Sequence, residues 1–461
     1  MKDQVESLNR RNVLQAIGGL GAATLAGCVG TGSGPQTDAT QTTNSDSSAE
    51  GTADETATEA ATAAPMADSI EFWEMAGSYG GLMDRYAQET GTEISHTNMG
   101  YSEIINKMQT RLISGQGAPS TALIEQKKTL KIASTGGLRD LRPRMEDAGI
   151  IDEFNDGVLS AVTGDEGQIY SVPDDIAPTT LYYRRDVWDE HGLAPHDEIE
   201  TWDQLIEEGK KLPDDISLLS LPASGSNLYW RFLNRMQGGQ EFNENGEVVL
   251  NGEEGLKAAR MMKRLSNEGL IDRGANWSQQ WFSGFQNGTI TGYATGSWFY
   301  GTITSSMPET EGNWRGFKLP ALESGGNRAS NRGGSGLVIP QQASEEEANR
   351  VWDYIKFVTA TPKQNALSYK NEGQMTAHEP SWDQSAFSNA EFDFFGGQQL
   401  ANIWIDTVPD IPGYRFTVDS PIVSSIINEE MRNMIDEGDS PKQALDRAAQ
   451  RVADRTGRDI A

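Results

Sequence analysis

The chain has 461 residues, of which 36% are hydrophobic, and its 67 acidic and 38 basic residues give a formal net charge of -29. This length exceeds one ordinary hydrophobic core and predicts two lobes. The negative charge argues against nucleic acid or an anionic membrane surface as a partner. An acidic surface poor in lysine is typical of proteins from extreme halophiles; an ordinary acidic secreted protein is the alternative.

Residues 1–27 have the features of an export signal. Arg10 and Arg11 precede an apolar run, rich in glycine and alanine, that continues to Ala26; this pattern resembles a twin-arginine signal. The run ends in Leu-Ala-Gly-Cys, which resembles a lipoprotein processing box with Cys28 as the lipid-bearing first residue of the mature chain. An unmodified thiol is the alternative. Because Cys28 is the only cysteine, no internal disulfide is expected.

Residues 28–65 predict a disordered tether. They are mostly Thr, Ala, Ser, Gly, Asp and Glu, with almost no large apolar side chain. Such a segment cannot bury enough surface to offset the entropy lost on ordering. We therefore expect the folded part to begin near residue 66.

Strands and helices alternate after residue 66. Ser69 to Glu74 predicts a strand, Ile94 to Thr97 a second strand, and Pro119 to Ile124 a third, with predicted helices between them. This alternation indicates an α/β fold with a mostly parallel sheet, whose carboxyl strand ends form the usual binding edge. Glu125 stands at such a strand end.

The most informative block runs from Gly167 to Leu212. Val172 to Pro178 contains two prolines, which keep the backbone extended and suit a connection between lobes. A short apolar strand follows at Thr180 to Tyr183, and Thr201 with Gln204 predicts a helix that starts with a capping box. The same capping pattern recurs at two later pairs, Ser344 with Glu347 and Ser440 with Gln443.

This block resembles the corresponding part of family 1 extracellular solute-binding proteins, the sugar-binding subunits of ABC importers. Tyr182 to Arg184 match the family's strand end, Gly192 and Leu193 its helix end, and Thr201 with Trp202 its helix cap. The resemblance extends over roughly residues 69–453 and, with the acidic composition, suggests a haloarchaeal member. It implies a two-lobed type II periplasmic-binding-protein-like fold with an interlobe cleft and hinge. The implied lobes are residues 66–175 plus 308–375 and residues 176–307 plus 376–461.

The same resemblance suggests site residues. Gly296 and Trp298 match a Gly-x-Trp strand end whose tryptophan commonly packs on the sugar, and Glu125 matches a common acidic ligand contact. Sugars present an apolar face and a polar rim, so aromatic, acidic, amide and arginine side chains suit them. Further candidates near predicted loops, strand ends or the hinge are Trp73, Tyr79, Asp174, Trp230, Trp281, Arg332, Gly334 and Trp404.

Catalytic and metal-binding patterns are weak. The four histidines lack a zinc-site spacing, and Ser335 lies in a sequence without the last glycine of a nucleophile elbow. Asp174 and Asp175 are adjacent, so in an extended segment they point to opposite sides, which weakens a hydrolytic pair. We therefore expect neither catalytic residues, nor a metal, nor a cofactor.

The resemblance implies a monomeric, lipid-anchored receptor at the extracellular face of the cell membrane, which binds a carbohydrate and delivers it to an ABC permease and ATPase. Three alternatives stay open: a binding protein for a polyamine, a metal or glycerol phosphate; a secreted carbohydrate-active hydrolase; and a structural cell-surface protein. Asn276 and Asn287 lie in glycosylation sequons, which are often unused.

Overall fold

The structure is a computed structural model that describes residues 64–75 and 79–461. The predicted export signal, Cys28 and nearly all of the predicted tether lie outside the described residues. Within them, no helix is both long enough and apolar enough to cross a membrane.

The described residues form strands that assemble into three sheets. Their bounds are β1 (Ser69–Glu74), β2 (Glu93–Asn98), β3 (Thr121–Glu125), β4 (Val172–Pro173), β5 (Thr179–Arg184), β6 (Leu219–Ser220), β7 (Ile271–Asp272), β8 (Gly292–Gly296), β9 (Trp314–Lys318) and β10 (Ser335–Val338). The strand orders are β2-β1-β3-β10-β4 in the first sheet, β8-β5-β9 in the second and β6-β7 in the third.

Helices surround these sheets. Their bounds are α1 (Gly80–Thr90), α2 (Tyr101–Ser114), α3 (Gln126–Ala133), α4 (Arg142–Asp147), α5 (Asp156–Ser160), α6 (Arg185–Glu190), α7 (Trp202–Gly209), α8 (Ser226–Arg235), α9 (Glu253–Asn267), α10 (Gln279–Gln286), α11 (Phe299–Ser306), α12 (Glu345–Thr359), α13 (Pro362–Glu372), α14 (Ser385–Ser388), α15 (Leu400–Thr407), α16 (Ser420–Asp436) and α17 (Pro441–Thr456). Short 3-10 turns connect several of them.

The first sheet combines parallel and antiparallel pairs. Strand β1 pairs in parallel with β2 and β3, as the alternating pattern predicted, while β10 runs antiparallel to β3 and β4. Strand β3 has the sequence TALIE and is buried up to its last residue. Glu125 therefore emerges at the carboxyl edge of a buried strand, where ligands of α/β sheets usually bind.

The second sheet is antiparallel, which corrects the prediction of a mostly parallel sheet for this part of the chain. Strand β5 lies between β8 and β9 and is fully buried, as expected from its run TTLYYR. The pairing of β9 with β5 also places Trp314–Lys318 in the second sheet. The predicted lobe boundary at residue 308 had assigned this strand to the lobe of the first sheet.

Three extended segments meet where the chain crosses between the sheets. Val172 to Pro178 forms no helix, as its two prolines predicted, and leads from β4 to β5, while residues 319–334 lead from β9 back to β10. The third segment is residues 374–377, which follow α13. Pro178 forms a bridge with Asn331, and Asp175 forms one with Thr376 in the third segment. The backbone amide of Ile176 also donates to the carbonyl of Met375 at 3.0 Å.

The local predictions of helix starts are confirmed. All three capping boxes are complete: the side chains of Thr201, Ser344 and Ser440 each accept from the third helical amide, and each partner side chain accepts from the capping amide in return. These reciprocal bonds satisfy two backbone donors that a helix start otherwise leaves unpaired. They fix the starts of α7, α12 and α17.

Candidate functional site

A large cleft lies between the first and second sheets and has a volume of about 1050 Å³. Its walls come from the strand ends, the crossing segments and the loop before α10. It is lined by Met75, Tyr101, Leu123, Glu125, Lys127, Asp175, Leu228, Asn276, Trp277, Trp298, Tyr300, Gly301, Thr302, Thr304, Ser305, Arg332, Gly333, Gly334, Ser335 and Gln374.

Four of the predicted site residues line this cleft: Glu125, Trp298, Arg332 and Gly334. Trp298 precedes α11 directly after β8, and its indole nitrogen donates to the carbonyl of Arg332 at 3.0 Å. A Cβ on Gly334 would lie 2.5 Å from a side-chain atom of Gln126. Gly334 also has a φ of 104°, a backbone conformation that favours glycine, so a larger residue would be strained there even if Gln126 moved aside.

An aromatic wall forms one side of the cleft. Trp277 is 50% exposed, and its ring centroid lies 6.0 Å from that of Trp298 with an interplanar angle of 33°. Behind Trp277, the ring of Trp281 packs at 5.4 Å and is itself buried. The cleft thus presents two neighbouring indole rings, backed by a rigid one, to whatever enters it.

A cluster of three polar side chains lies at the end of β3. Lys127 pairs with Glu125 at 2.9 Å, and its ammonium group lies 5.7 Å from the ring centre of Tyr101. Burial, together with the negative charge of Glu125, raises the pKa of the Tyr101 hydroxyl well above its ordinary value. Tyr101 is therefore a neutral hydroxyl at physiological pH, beside a carboxylate and an ammonium group.

Asp175 contributes a second carboxyl group from the crossing segment. It is buried, and its Oδ1 accepts a hydrogen bond from the amide of Ser335 at 2.6 Å. Burial is the main reason that the pKa of Asp175 is raised to about 7, and the negative charge of Glu125 adds to the effect, while the Ser335 amide opposes it. The protonation of this carboxyl group therefore changes near neutral pH.

The remaining predicted residues do not line the cleft. Asp174 is buried and accepts a hydrogen bond from Gln374, which does line it. Tyr79 is buried against Phe72, at 5.3 Å between ring centroids, and burial followed by the charge of Asp174 raises the pKa of its hydroxyl. Asp174 thus contacts the cleft indirectly, through Gln374.

The four other predicted tryptophans belong to the core and do not line the cleft. All are buried, and each indole nitrogen has a partner within the protein. These partners are Glu71 for Trp73, Gly255 for Trp230, Ser220 for Trp281 and Thr180 for Trp404. The large apolar area of tryptophan favours burial wherever its N–H finds an acceptor.

Several residues of the cleft were not selected from the sequence. They are mainly Tyr101, Lys127, Asp175, Asn276 and Tyr300. Asp175 was discernible as the neighbour of Asp174, because one of two adjacent extended residues must face the cleft. Trp277 was one of several tryptophans near predicted loops, and no motif singled it out. Tyr101 and Lys127 carried no sequence signal, since each lies at the start of an ordinary helix.

The described residues contain no group of three or more His, Cys, Asp or Glu side chains placed to hold a metal ion.

A family model described as bacterial extracellular solute-binding protein matches residues 81–377. The chain belongs to this family. Among curated members, it is 23% identical over 405 residues to the arabinooligosaccharide-binding protein of Halalkalibacterium halodurans, covering 84% of this chain and 89% of that protein. It is 27% identical over 355 residues to the lactose-binding protein of Rhizobium radiobacter, covering 73% and 79% respectively.

Solved structures of other solute-binding proteins have the same fold. The ABC transporter associated binding protein of B. animalis subsp. lactis Bl-04, in complex with β-1,6-galactobiose, superposes with a TM-score of 0.74 at 24% identity over 85% of this chain and 99% of that one. The galacto-N-biose-/lacto-N-biose I-binding protein of Bifidobacterium longum, in complex with lacto-N-biose, gives 0.73 at 16% identity over 86% and 100%. The chain thus has the predicted two-lobed α/β fold.

Proposed function

We propose that this solute-binding protein is the receptor of an ABC importer and captures a sugar or oligosaccharide in the cleft. The main evidence is the composition of that cleft. Two neighbouring indole rings, Trp277 and Trp298, line it together with the charged groups of Glu125, Lys127 and Arg332. Aromatic faces suit the apolar side of a sugar ring, and the charged groups suit its hydroxyls. The names of the curated relatives support this proposal.

The size of the cleft favours more than one sugar unit. Pockets for small molecules usually span about 300 to 1,000 Å³, and this cleft reaches about 1050 Å³. An extended ligand would touch both the first-sheet side, through Glu125, and the second-sheet side, through Trp298. Contacts to both sides favour the closed arrangement of two lobes, which is the form a permease recognises.

The three crossing segments are the proposed hinge, with Val172 to Pro178 as its first strand. We assign residues 66–175 and about 319–375 to one lobe, and residues 176–318 and 376–461 to the other. This division follows the sheets, because β9 pairs with β5. We further propose a monomer that a lipid on Cys28 anchors at the extracellular face of the membrane, with residues 28–65 as tether.

Calorimetry of the purified protein against a panel of neutral and acidic mono- and oligosaccharides tests the sugar proposal. We expect at least one oligosaccharide to bind, and Trp298→Ala to weaken that binding at least tenfold. If no sugar binds but a polyamine, a metal ion or glycerol phosphate does, the ligand belongs to that other class. If no sugar binds stably and hydrolysis products appear instead, the protein is not a receptor.

Glycoside hydrolysis is a second candidate because Asp175 and Glu125 place two carboxyl groups in one cleft. A raised pKa on one of two neighbouring carboxyl groups is how glycosidases separate acid and base roles. The pKa of Asp175 is raised to about 7, chiefly by burial. An assay for reducing ends released from polysaccharide, with Glu125→Gln as the comparison, decides this point. We expect no release from either protein.

A further inference from the structure

A small cavity whose lining includes four cations adjoins the cleft. It has a volume of about 30 Å³ and shares Glu125, Lys127, Leu228, Arg332 and Gly333 with the cleft. Its other lining residues are Arg231, Phe232, Arg235, Asn331 and Phe416. We call it the arginine cavity. A single water needs roughly 10 to 15 Å³, so the space accommodates a small ion or one carboxylate group.

Two of the four cations already have acidic partners. Arg231 pairs with the buried Glu241 at 2.9 Å and donates to the hydroxyl of Ser424 at 2.6 Å. Lys127 pairs with Glu125 at 2.9 Å. These two pairs neutralise half of the positive charge around the arginine cavity.

The two other cations are buried without an acidic partner. Arg235 is 5% exposed and Arg332 is 6% exposed. Among the described residues, no carboxylate lies within ion-pair distance of either guanidinium group. Buried charges are normally paired, because removing an ion from water is costly. The arginine cavity therefore carries about two unbalanced positive charges in a protein whose net charge is -29.

Neutral contacts compensate only part of this charge. The Nε of Arg235 donates to the carbonyl of Pro412 at 2.8 Å, and its guanidinium carbon lies 5.5 Å from the ring centre of Tyr414. Arg332 donates to the carbonyl of Ala294 at 2.6 Å and to the hydroxyl of Tyr293 at 2.7 Å. The Nε of Arg332 is buried and has no hydrogen-bond partner.

The electrostatics agree with this geometry. Burial, with a further contribution from the positive charge of Arg231, lowers the pKa of Arg235 to about 10. The group stays protonated at neutral pH, but its charged form is destabilised. An anion in the arginine cavity would reverse that effect, because an opposite charge nearby favours the protonated form.

We propose that the arginine cavity is an anion subsite of the cleft. It takes a small anionic group, which is either the carboxylate of an acidic sugar that occupies the cleft or a free halide ion. The first source rests on the proposed function and narrows it to uronic-acid-containing oligosaccharides. The second source is independent of any sugar, so the subsite and the receptor function can fail separately.

Crystals of the full chain grown or soaked in sodium bromide test the subsite directly. We expect an anomalous difference peak in the arginine cavity, within hydrogen-bond distance of the guanidinium group of Arg235 or Arg332. A map that shows bromide on the protein surface but none in the arginine cavity overturns the proposal. This experiment requires no knowledge of the sugar.

Chloride-35 NMR linewidths measure the same subsite in solution. We expect Arg235→Gln to remove at least half of the protein-dependent line broadening, and Arg235→Lys, which keeps the charge, to retain most of it. Arg264→Gln is the matched control, because Arg264 pairs with Asp203 at the surface. Arg332→Gln serves if Arg235→Gln fails to fold. Equal broadening in the folded cavity variants and the control overturns the proposal.

Competition distinguishes the two sources of the anion. Digalacturonate and neutral 1,4-linked galactobiose are added separately to the chloride sample. If only digalacturonate narrows the chloride line, the subsite binds a sugar carboxylate. Bromide in the arginine cavity with no displacement by either sugar assigns it to a resident halide. Failure of the whole sugar panel would then contradict sugar as the ligand of the cleft and leave the bromide peak in place.

Discussion

Trp277 has a backbone conformation that tryptophan rarely adopts. It is the only non-glycine residue in the described part of the chain with positive φ, at 65°. The left-handed region costs a residue with a Cβ about 1–2 kcal/mol, and such strain is often found at functional sites. The contacts of its ring with Trp281 and Trp298 help to hold this conformation. Strain here keeps an exposed indole turned toward the cleft.

Replacement of Trp277 separates the strain from the ligand contact. Both Trp277→Ala and Trp277→Gly remove the ring, so we expect each to weaken sugar binding about tenfold, or about 1.4 kcal/mol. Only glycine removes the strain, and we expect the glycine variant to be more stable than the alanine variant by about 0.5–1 kcal/mol. Calorimetry and chemical denaturation measure the two effects.

The control for this comparison is an exposed helical position. Ser425 lies in the middle of α16, where the backbone is unstrained and alanine stabilises a helix more than glycine does. Ser425→Ala should therefore be more stable than Ser425→Gly by about 1 kcal/mol. If the alanine variant at position 277 were likewise more stable than the glycine variant, the backbone of Trp277 would be unstrained.

Asp175 makes stability depend on pH. Its folded pKa of about 7 lies above the ordinary unfolded value, so between these two pH values the folded state keeps a proton that the unfolded state has lost. Stability therefore falls as pH rises from about 5 to about 8. Asp175→Asn removes this contribution, and we expect its unfolding free energy to gain about 2 kcal/mol relative to the native protein across that range. Urea denaturation at several pH values measures the difference.

Asp84→Asn provides the matched comparison for Asp175→Asn, since Asp84 is an exposed residue in α1. Its pH profile should parallel that of the native protein. Parallel profiles for both variants would mean that Asp175 titrates in the folded protein as it does in the unfolded chain.

At the scale of single residues, sequence reasoning succeeded where a motif fixed the position of a side chain. Trp298 follows a Gly-x-Trp strand end and Glu125 ends a buried strand, and both line the cleft. Residue type alone was not a sufficient guide for Trp230 and Trp404, which are buried and do not line the cleft. A tryptophan side chain packs in a hydrophobic core as readily as in a binding site. Arg332 was selected for the cleft, but its missing counter-ion depends on distant residues that no local pattern reveals.

At the scale of elements, the crossing segment before β10 is the most demanding part of the chain. Gly333 and Gly334 have φ values of 131° and 104°, and a Cβ on either would press against Trp298 or Gln126. We expect Gly334→Ala to lower the unfolding free energy by about 1–3 kcal/mol, because a residue with a Cβ is strained at this φ and the side chain of Gln126 must shift. Thermal and chemical denaturation measure this change.

Gly413→Ala is the control for Gly334→Ala, because a Cβ at position 413 would meet no atom within 4 Å. Its effect should be neutral or slightly stabilising, through the lower entropy of the unfolded chain. Equal effects at the two positions would contradict a tight crossing at Gly334.

Elements also show which parts of the fold the sequence could predict. Capping boxes and the proline-bounded segment Val172 to Pro178 depend on neighbours within a few residues, and the structure confirms them. The partner of β9 depends on residues more than 100 positions away in β5. Such pairings follow from the packing of the whole sheet, so the local pattern assigned this strand to the other lobe.

At the scale of the whole molecule, the charge of -29 sets the response to salt. Raising KCl from about 0.1 M to about 1 M shortens the screening length from about 10 Å to about 3 Å and weakens the repulsion among acidic residues. We expect Tm to rise over this range, as scanning calorimetry can measure. Near pH 4.5, the isoelectric point of the sequence, the same salt should have little effect. A Tm that is independent of salt at neutral pH would contradict this expectation.

The exposure of Trp277 also gives the protein an optical property. It is the only exposed tryptophan among the described residues, while the others are buried or half-buried. An indole in contact with water emits fluorescence at longer wavelength than one in an apolar environment. A ligand that covers Trp277 would therefore shift the emission of the whole chain toward the blue. Occupancy of the cleft could be followed in real time, without a dye, from light that the native protein emits.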